Sequence, residues 1–526
     1  MKRSRSVLLV SACSVAGALA PACAQLLDVD AYHVETVTDS GPAMGEGGDA
    51  STAAPSAPDA ACNDPAGFSG RGCFACTPTN RDQRQNACTA SACAPFDDAR
   101  IASLLVDGHV PPLPPAVAPD ASAVGGARAL AVDASAPVDA GTAEAPDAGP
   151  VNPRCAALPE PVYATGSSAV KPFLARIAQA IGGQRTVVYV SAGSCLGVDA
   201  IVNGARMTGS GATAASYWDP AAGDPANAER RCDLDPAGVP ADVGVSDVFA
   251  TTCLDLPQGL PAGVGDFFGP VQVMSFVVPS ASSQRTLSAD AAYLVFGFGD
   301  ASGVAPWTDA RFLFQRTATS GTQAMIGAEI GVPPARWRGT PSRTSDDVQA
   351  KLASVSVVDA DRTLAILSAD IADDHRGQER ALAYQARGQR CGFWPDSAEG
   401  TLDRRNVRDG HYPMWGPLHL LAHVGSDGAP SGASVAALVG YLSGSRALPG
   451  GLDLVALYAE RHVVPLCAMR VTRVSDGGPL APYAPSSPCG CAFEKDATGA
   501  TDCAPCATSA DCAASAPTCS HGYCER

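Results

Sequence analysis

Arg316, Ser320, Gly321 and Thr322 stand in the spacing R-x-x-x-S-G-T, at the end of the apolar run RFLFQR and the start of a helical one. A guanidinium is always charged, and its fork matches two oxygens of a tetrahedral oxyanion. The two hydroxyls add donors, and Gly321 lets the backbone come close. The competing reading of Arg316 is a solvated charge at a strand end. Upstream, Gly166, Ser167 and Ser168 follow the run VYAT, and Gly193 and Ser194 follow TVVYV. Each turn opens a helical run, and a helix start carries free N–H groups and partial positive charge. A plain cap is the competing reading of Ser167, Ser168 and Ser194, because Ser is a preferred cap residue. Asp247 closes the run ADVGVSD. An ionised carboxylate only accepts hydrogen bonds, so beside anion donors it fits a ligand that brings its own proton. Monoprotonated phosphate brings one and sulfate at neutral pH does not, so Asp247 would select by rejection as well as attraction. An ordinary loop acid is the alternative there.

These residues need elements to carry them. Apolar strand-like runs alternate with helical ones between about 155 and 475. The run after Ser168 places Phe173, Leu174, Ile177 and Ile181 on one helical face. The alternation predicts an α/β region with a mainly parallel sheet covered by helices.

GSS before a helix, GS after the second strand, G-x-S-D, and R-x-x-x-S-G-T, in that order, resemble the phosphate-binding proteins of bacterial ABC importers. That family has the type II periplasmic binding fold, and the resemblance spans about 158–470. It implies a two-lobed α/β fold that holds a small oxyanion between its lobes without metal or cofactor. Carried over by position, the implied ligand set is Ser168 with the amide of Ala169, then Ser194, Asp247, Arg316, Ser320, Gly321 and Thr322, with Ser167 adjacent. It also implies two crossover strands, for which 271–279 and 412–423 are the candidates. Two features depart from the family. Residues 205–240, with Tyr217, Trp218 and Cys232, are inserted before the Asp-bearing strand, and Ala169 stands where an aromatic is often seen.

The rest of the chain points outside the cytoplasm. Lys2, Arg3 and Arg5 precede an apolar run from Val7 to Ala20, which reads as an export signal over 1–24. Either a peptidase cuts around Ala22–Ala24, or Cys23 becomes a lipidated first residue. Residues 25–61 read as a flexible stalk, 62–106 as a small Cys-rich module, and 107–154 as a disordered Pro/Ala/Asp linker. The binding domain is expected over 155–475 and a second Cys-rich module over 476–526. Twenty Cys in an exported chain predict mainly disulfides. The odd counts in both Cys-rich ends predict a bridge between modules or a free thiol. CxxC at 73–76 and 503–506 is open to a zinc or redox reading, with a disulfide knot as the alternative.

A formal net charge of −17 argues against nucleic acid or anionic lipid as a partner. It leaves a small anion open, since surface charge is screened within about 10 Å. No G-x-S-x-G elbow, P-loop or Ser/His/Asp set is present, so the chain reads as non-catalytic. His419 and His423 have metal spacing only on a helix, and LHLLAH reads as a strand. SADIADDH at 368–375 lacks a calcium-loop pattern and reads as a solvated acidic face. Two functions follow: a solute-binding protein for phosphate, partnered by an ABC permease, or a surface protein that keeps the fold for interaction or sensing.

Overall fold

The structure is a computed structural model that describes residues 62–115, 152–223 and 227–526. The export signal with Cys23, the stalk, and the linker between 116 and 151 lie outside the described residues.

Eleven strands form one mixed sheet. They are β1 (Pro161–Gly166), β2 (Thr186–Ser191), β3 (Ala215–Trp218), β4 (Glu229–Cys232), β5 (Val243–Ser246), β6 (Val264–Pro279), β7 (Leu313–Arg316), β8 (Thr340–Ser342), β9 (Leu364–Ser368), β10 (Glu379–Ala381) and β11 (Trp415–His423). Their spatial order is β8-β7-β9-β6-β11-β5-β1-β2-β3-β4, with β10 added along β6. β1 is parallel to β2 and β5, and β7 is parallel to β8 and β9. β6 and β11 are antiparallel to each other and to their outer neighbours. The first part of β6, Val264 to Val273, pairs with β11. The rest pairs with β9 and β10. These two strands therefore join two lobes, as expected from 271–279 and 412–423. Lobe one holds β1–β5 and lobe two holds β7–β10.

Helices cover both lobes: α1 (Lys171–Ile181), α2 (Ser194–Val202), α3 (Ala289–Phe298), α4 (Gly321–Ile330), α5 (Ser345–Ala353) and α6 (Ala369–Asp374). Strand period sets the layers, because successive side chains point to opposite faces. Val187 and Tyr189 pack with Phe173 and Ile177 of α1, while Val188 between them packs with Val198 and Ile201 of α2. Along β6, Met274, Phe276 and Val278 join one core of lobe two, and Val277 joins the other with Val348 and Leu352 of α5. The helical face read at Phe173, Leu174, Ile177 and Ile181 is buried.

The 18 described cysteines form nine disulfides. Cys93 bridges to Cys391 and Cys467 to Cys489, so each Cys-rich end is tied to the central region. The CxxC cysteines pair outward rather than with each other: Cys73 with Cys88, Cys76 with Cys62, Cys503 with Cys491, and Cys506 with Cys519. No thiolate remains at either motif for zinc or redox exchange. Both ends also enter the core of lobe two, through Phe96 and Ile101 and through Phe493. The residues opening the linker pack as well, since Tyr293 of α3 donates to the Pro111 carbonyl at 2.8 Å.

One expectation needs correction. SADIADDH is not a solvated acidic face: Ala369–Asp374 is helical, Asp370 is buried, and Asp373 is ion-paired to Arg376 and to the fully buried Arg404. The inserted 205–240 segment supplies the antiparallel ribbon β3–β4 at the outer edge of lobe one. Its Glu229 binds Lys171 at 3.0 Å, three residues beyond Ser168.

Candidate functional site

Because β1, β2 and β5 are parallel and adjacent, their C-terminal ends lie at one edge of the sheet, where turns converge. Ser167 follows β1, Ser194 opens α2 after β2, and Asp247 follows β5. Gly166 makes this convergence feasible. Its φ is +141°, and a Cβ there would stand 1.8 Å from the Val245 carbonyl oxygen.

Asp247 is the centre of the cluster. Its Oδ2 accepts from the Ser167 hydroxyl at 2.6 Å and from the Ser194 hydroxyl at 3.1 Å. Its Oδ1 is buried and has no hydrogen-bond partner. Neither serine caps its helix. α1 begins at Lys171 with Val170 at the cap position, and α2 is preceded by Gly193 with no side-chain cap. The cap reading therefore fails for Ser167 and Ser194, whose hydroxyls turn to the carboxylate instead. The Ala169 amide donates to the Ser167 hydroxyl oxygen at 3.1 Å.

Lobe two brings Arg316 from the end of β7, which is 3% exposed. Its Nη1 donates to the Ser345 hydroxyl at 2.7 Å, and its Nη2 donates to the Arg343 carbonyl at 2.9 Å. A longer contact, 3.5 Å, runs from Nη2 to the Ser168 hydroxyl across the lobes. Nε is buried without a partner. Arg316 is therefore not the solvated charge that its position at a strand end allows. Ser320 precedes α4 and makes no side-chain cap; Gly321 and Thr322 form its first turn, and all three are buried.

The two halves of the set touch. A Cβ on Gly321 would lie 2.3 Å from Ser194 Oγ and 2.8 Å from Asp247 Oδ2, so only glycine allows this approach. The Cys195 amide donates to the Thr319 carbonyl at 3.1 Å. Ser167, Ser194, Asp247 and Gly321 thus meet, Arg316 reaches Ser168, and of the nine residues read from the sequence eight are buried, with Ser168 half-buried.

Electrostatics bind the cluster together. Burial pushes the Asp247 carboxyl above its ordinary range, while the Ser167 and Ser194 hydroxyls, Arg316 and His419 pull it back. Burial pulls Arg316 down to about 10, opposed by Asp247, Asp347 and Asp346. The guanidinium stays charged at neutral pH. The arrangement offers hydroxyl donors, one fixed cation, and one carboxylate oxygen free to accept. That set can hold a small oxyanion that itself carries a proton.

Three supports were not legible in the sequence. Ser345 and the Arg343 carbonyl hold Arg316, and the buried Tyr189 hydroxyl donates to the Ser167 carbonyl. The motif T-S-D-D at 344–347 signals only the cap that Thr344 makes for α5. His419 lies on β11 with Nδ1 2.8 Å from Asp266 Oδ2, between the rings of Phe249 and Phe268. His423, four residues along the strand and about 13 Å away at ~3.3 Å per residue, is exposed. The two do not form a metal pair. Among the described residues, two other groups have metal-capable side chains in reach, Cys506/Cys512/Cys524 and Asp64/Cys73/Cys88. Every cysteine in them is already in a disulfide.

No protein-family model matches this chain, and no curated protein matches it. Among solved structures it is similar to an ABC-type phosphate transport receptor from Vibrio cholerae, with TM-score 0.35 and 14% identity over 58% of this chain and 99% of that one. It is also similar to a phosphate-binding protein from Stenotrophomonas maltophilia, with TM-score 0.34 and 12% identity over 58% and 90%. A third is the reduced OxyR regulatory domain from Pseudomonas aeruginosa, with TM-score 0.31 and 10% identity over 56% and 99%. At TM-scores below 0.5, none of these likenesses bears on the ligand of this chain.

Proposed function

We propose that the chain is an exported, non-catalytic solute-binding protein that captures a small oxyanion, phosphate above all, between its two lobes. One observation carries the reading. Asp247 Oδ1 and Arg316 Nε are buried without partners, within one cluster to which both lobes contribute. A monoprotonated phosphate supplies what both lack, an O–H for the carboxylate and an oxygen for the guanidinium. Ser167, Ser168, Ser194, Ser320 and Thr322, with the amides near Ala169 and Gly321, are the remaining donors. An entering ligand takes over the hydroxyls that now hold Asp247. Entry requires the lobes to part by hinge motion at β6 and β11. The nine disulfides support an oxidising, extracytoplasmic setting, and an ABC permease is the fitting partner for such a carrier.

Calorimetric titration of the full chain with phosphate, arsenate and sulfate tests the reading. Phosphate and arsenate are expected to bind, and sulfate to bind more weakly. Arg316→Ala should abolish capture. Asp247→Asn should narrow the gap between phosphate and sulfate by roughly tenfold or more, the scale of one hydrogen bond to a charged group. Equal phosphate affinity in Arg316→Ala would remove the proposed site.

A second reading is a surface interaction or sensing protein with an altered ligand or none. The contact of Gly321 with Ser194 and Asp247 favours it, since the set satisfies much of its own hydrogen bonding. Absence of any oxyanion heat would support this alternative.

A further inference from the structure

A cavity of about 210 Å³ lies in lobe two, between α6, β10 and the segment 394–404, and shares no residue with the set around Asp247. Its charged walls pair off with one exception. Arg404 binds Asp373 and Asp396, Arg376 binds Asp373 at 2.6 Å, and Arg380 faces Glu399 at 3.7 Å. Three guanidiniums thus stand against three carboxylates. Glu379 is the fourth acid and has no cation of its own. It is fully buried, and both carboxyl oxygens lack any hydrogen-bond partner. Burial alone pushes its carboxyl up to about 8.

A buried carboxyl whose two oxygens are both unpartnered leaves its hydrogen-bonding capacity unmet, and a donor is what it lacks. The neighbouring arginines do not supply one. Arg376 spends its N–H groups on Asp373 and on the Gly400 and Thr401 carbonyls, and Arg404 spends its own on Asp396, Asp373 and the His462 carbonyl. Two donors in the walls are themselves unpartnered, Trp394 Nε1 and Arg380 Nε. Ala369, Ala372, Ala381 and Pro395 complete an apolar wall beside Trp394. The entrance side carries the exposed Glu399 and Gly400.

We propose that this cavity is a second binding site, for a small molecule bearing a guanidinium or amidinium group that Glu379 grips with both oxygens. A planar cation of that kind matches a carboxylate fork to fork, and the indole of Trp394 provides an aromatic wall for it. A single positive charge balances the one unmatched acid. The free N–H groups of Trp394 and Arg380 favour ligands with a carboxylate at the other end, so guanidinoacetate should bind more tightly than methylguanidine. At pH 7 Glu379 starts protonated, so binding of the cation must expel that proton to solvent.

The test is calorimetry of the full chain at pH 7 with methylguanidine, guanidinoacetate and glucose, run in two phosphate-free buffers of different ionisation heat. Binding of both guanidines is expected, with release of about one proton per ligand and no heat from glucose. Glu379→Gln keeps the shape of the neutral acid, so the protein should fold with unchanged or higher thermal stability. Its guanidine affinity should fall at least tenfold, and the proton release should vanish. No guanidine binding at millimolar concentration, binding without proton release in the unmodified protein, glucose binding in place of the guanidines, or equal affinity in Glu379→Gln would each overturn the proposal. Phosphate titration is independent of these outcomes, because the two sites share no residue.

Discussion

At the scale of single residues, buried ionisable groups with unpartnered polar atoms mark both of the proposed binding sites. Arg316 is poised by Ser345 and the Arg343 carbonyl rather than by an acid of its own. Ser345→Ala should therefore loosen the guanidinium and weaken phosphate capture by roughly tenfold, on the scale of about 1.5 kcal/mol for one charged hydrogen bond. Titration calorimetry reads that loss, and unchanged affinity would show that Ser345 does not position Arg316. Glu379 makes a pH prediction with a definite sign. Its folded carboxyl titrates near 8, against an ordinary value of 4.5. Between those values the folded chain keeps a proton that the unfolded chain has lost. Stability therefore falls as pH rises from about 4.5 to 8 and levels beyond. Glu379→Gln should remove that slope, so its melting temperature should exceed that of the unmodified protein at pH 8 and approach it at pH 4. Parallel melting curves across this window would contradict the burial argument.

At the scale of elements, the lobes meet where the first turn of α4 rests on the start of α2 and on Asp247. Gly321→Ala places a methyl 2.3 Å from Ser194 Oγ. It should hold the lobes apart, which small-angle scattering would record as a larger radius of gyration, together with weakened oxyanion capture. A segment near the C-terminal end also spans both lobes. Asp476 accepts from the Phe249 amide and the Thr252 hydroxyl of lobe one, and Gly477 lies against Ala328 of α4. Asp476→Ala should free this strap and quicken hydrogen exchange at Phe249 and Thr252. Exchange as slow as in the unmodified protein would mean that other contacts hold the segment. The elements were largely legible. The strand runs at 162–165 and 186–190, the apolar face of α1, and the β-character of LHLLAH all follow from period and propensity. The acidic run at 368–375 is not the solvated face its composition suggests, because Arg404 lies 31 residues beyond Asp373 and composition carries no sign of that pairing.

At the scale of the whole molecule, the Cys-rich ends are part of the packing of lobe two. Phe96, Ile101 and Phe493 lie in its core, and Cys93–Cys391 closes a chain separation of 298 residues. Replacing both cysteines of that bridge with serine should cost about 2–5 kcal/mol, measured by denaturant unfolding. It should leave oxyanion affinity unchanged, because the bridge lies outside the set around Asp247. A loss of affinity as large as the loss of stability would instead couple the N-terminal segment to the cleft.

What the sequence determined by itself was local: which runs are strands, which turns carry hydroxyls, and the order of the motifs that pointed to a two-lobed α/β fold. Those features depend on neighbours a few residues apart. Tertiary structure alone decided that Ser167 and Ser194 turn from helix capping to Asp247, that Ser345 holds Arg316, that the odd cysteines bridge inward, and that Glu379 is left unmatched. Each depends on groups tens to hundreds of residues apart along the chain, brought together by the parallel strands and the two crossovers. Burial then gives those encounters their strength, because a polar group removed from water must find its partner wherever the fold has put one.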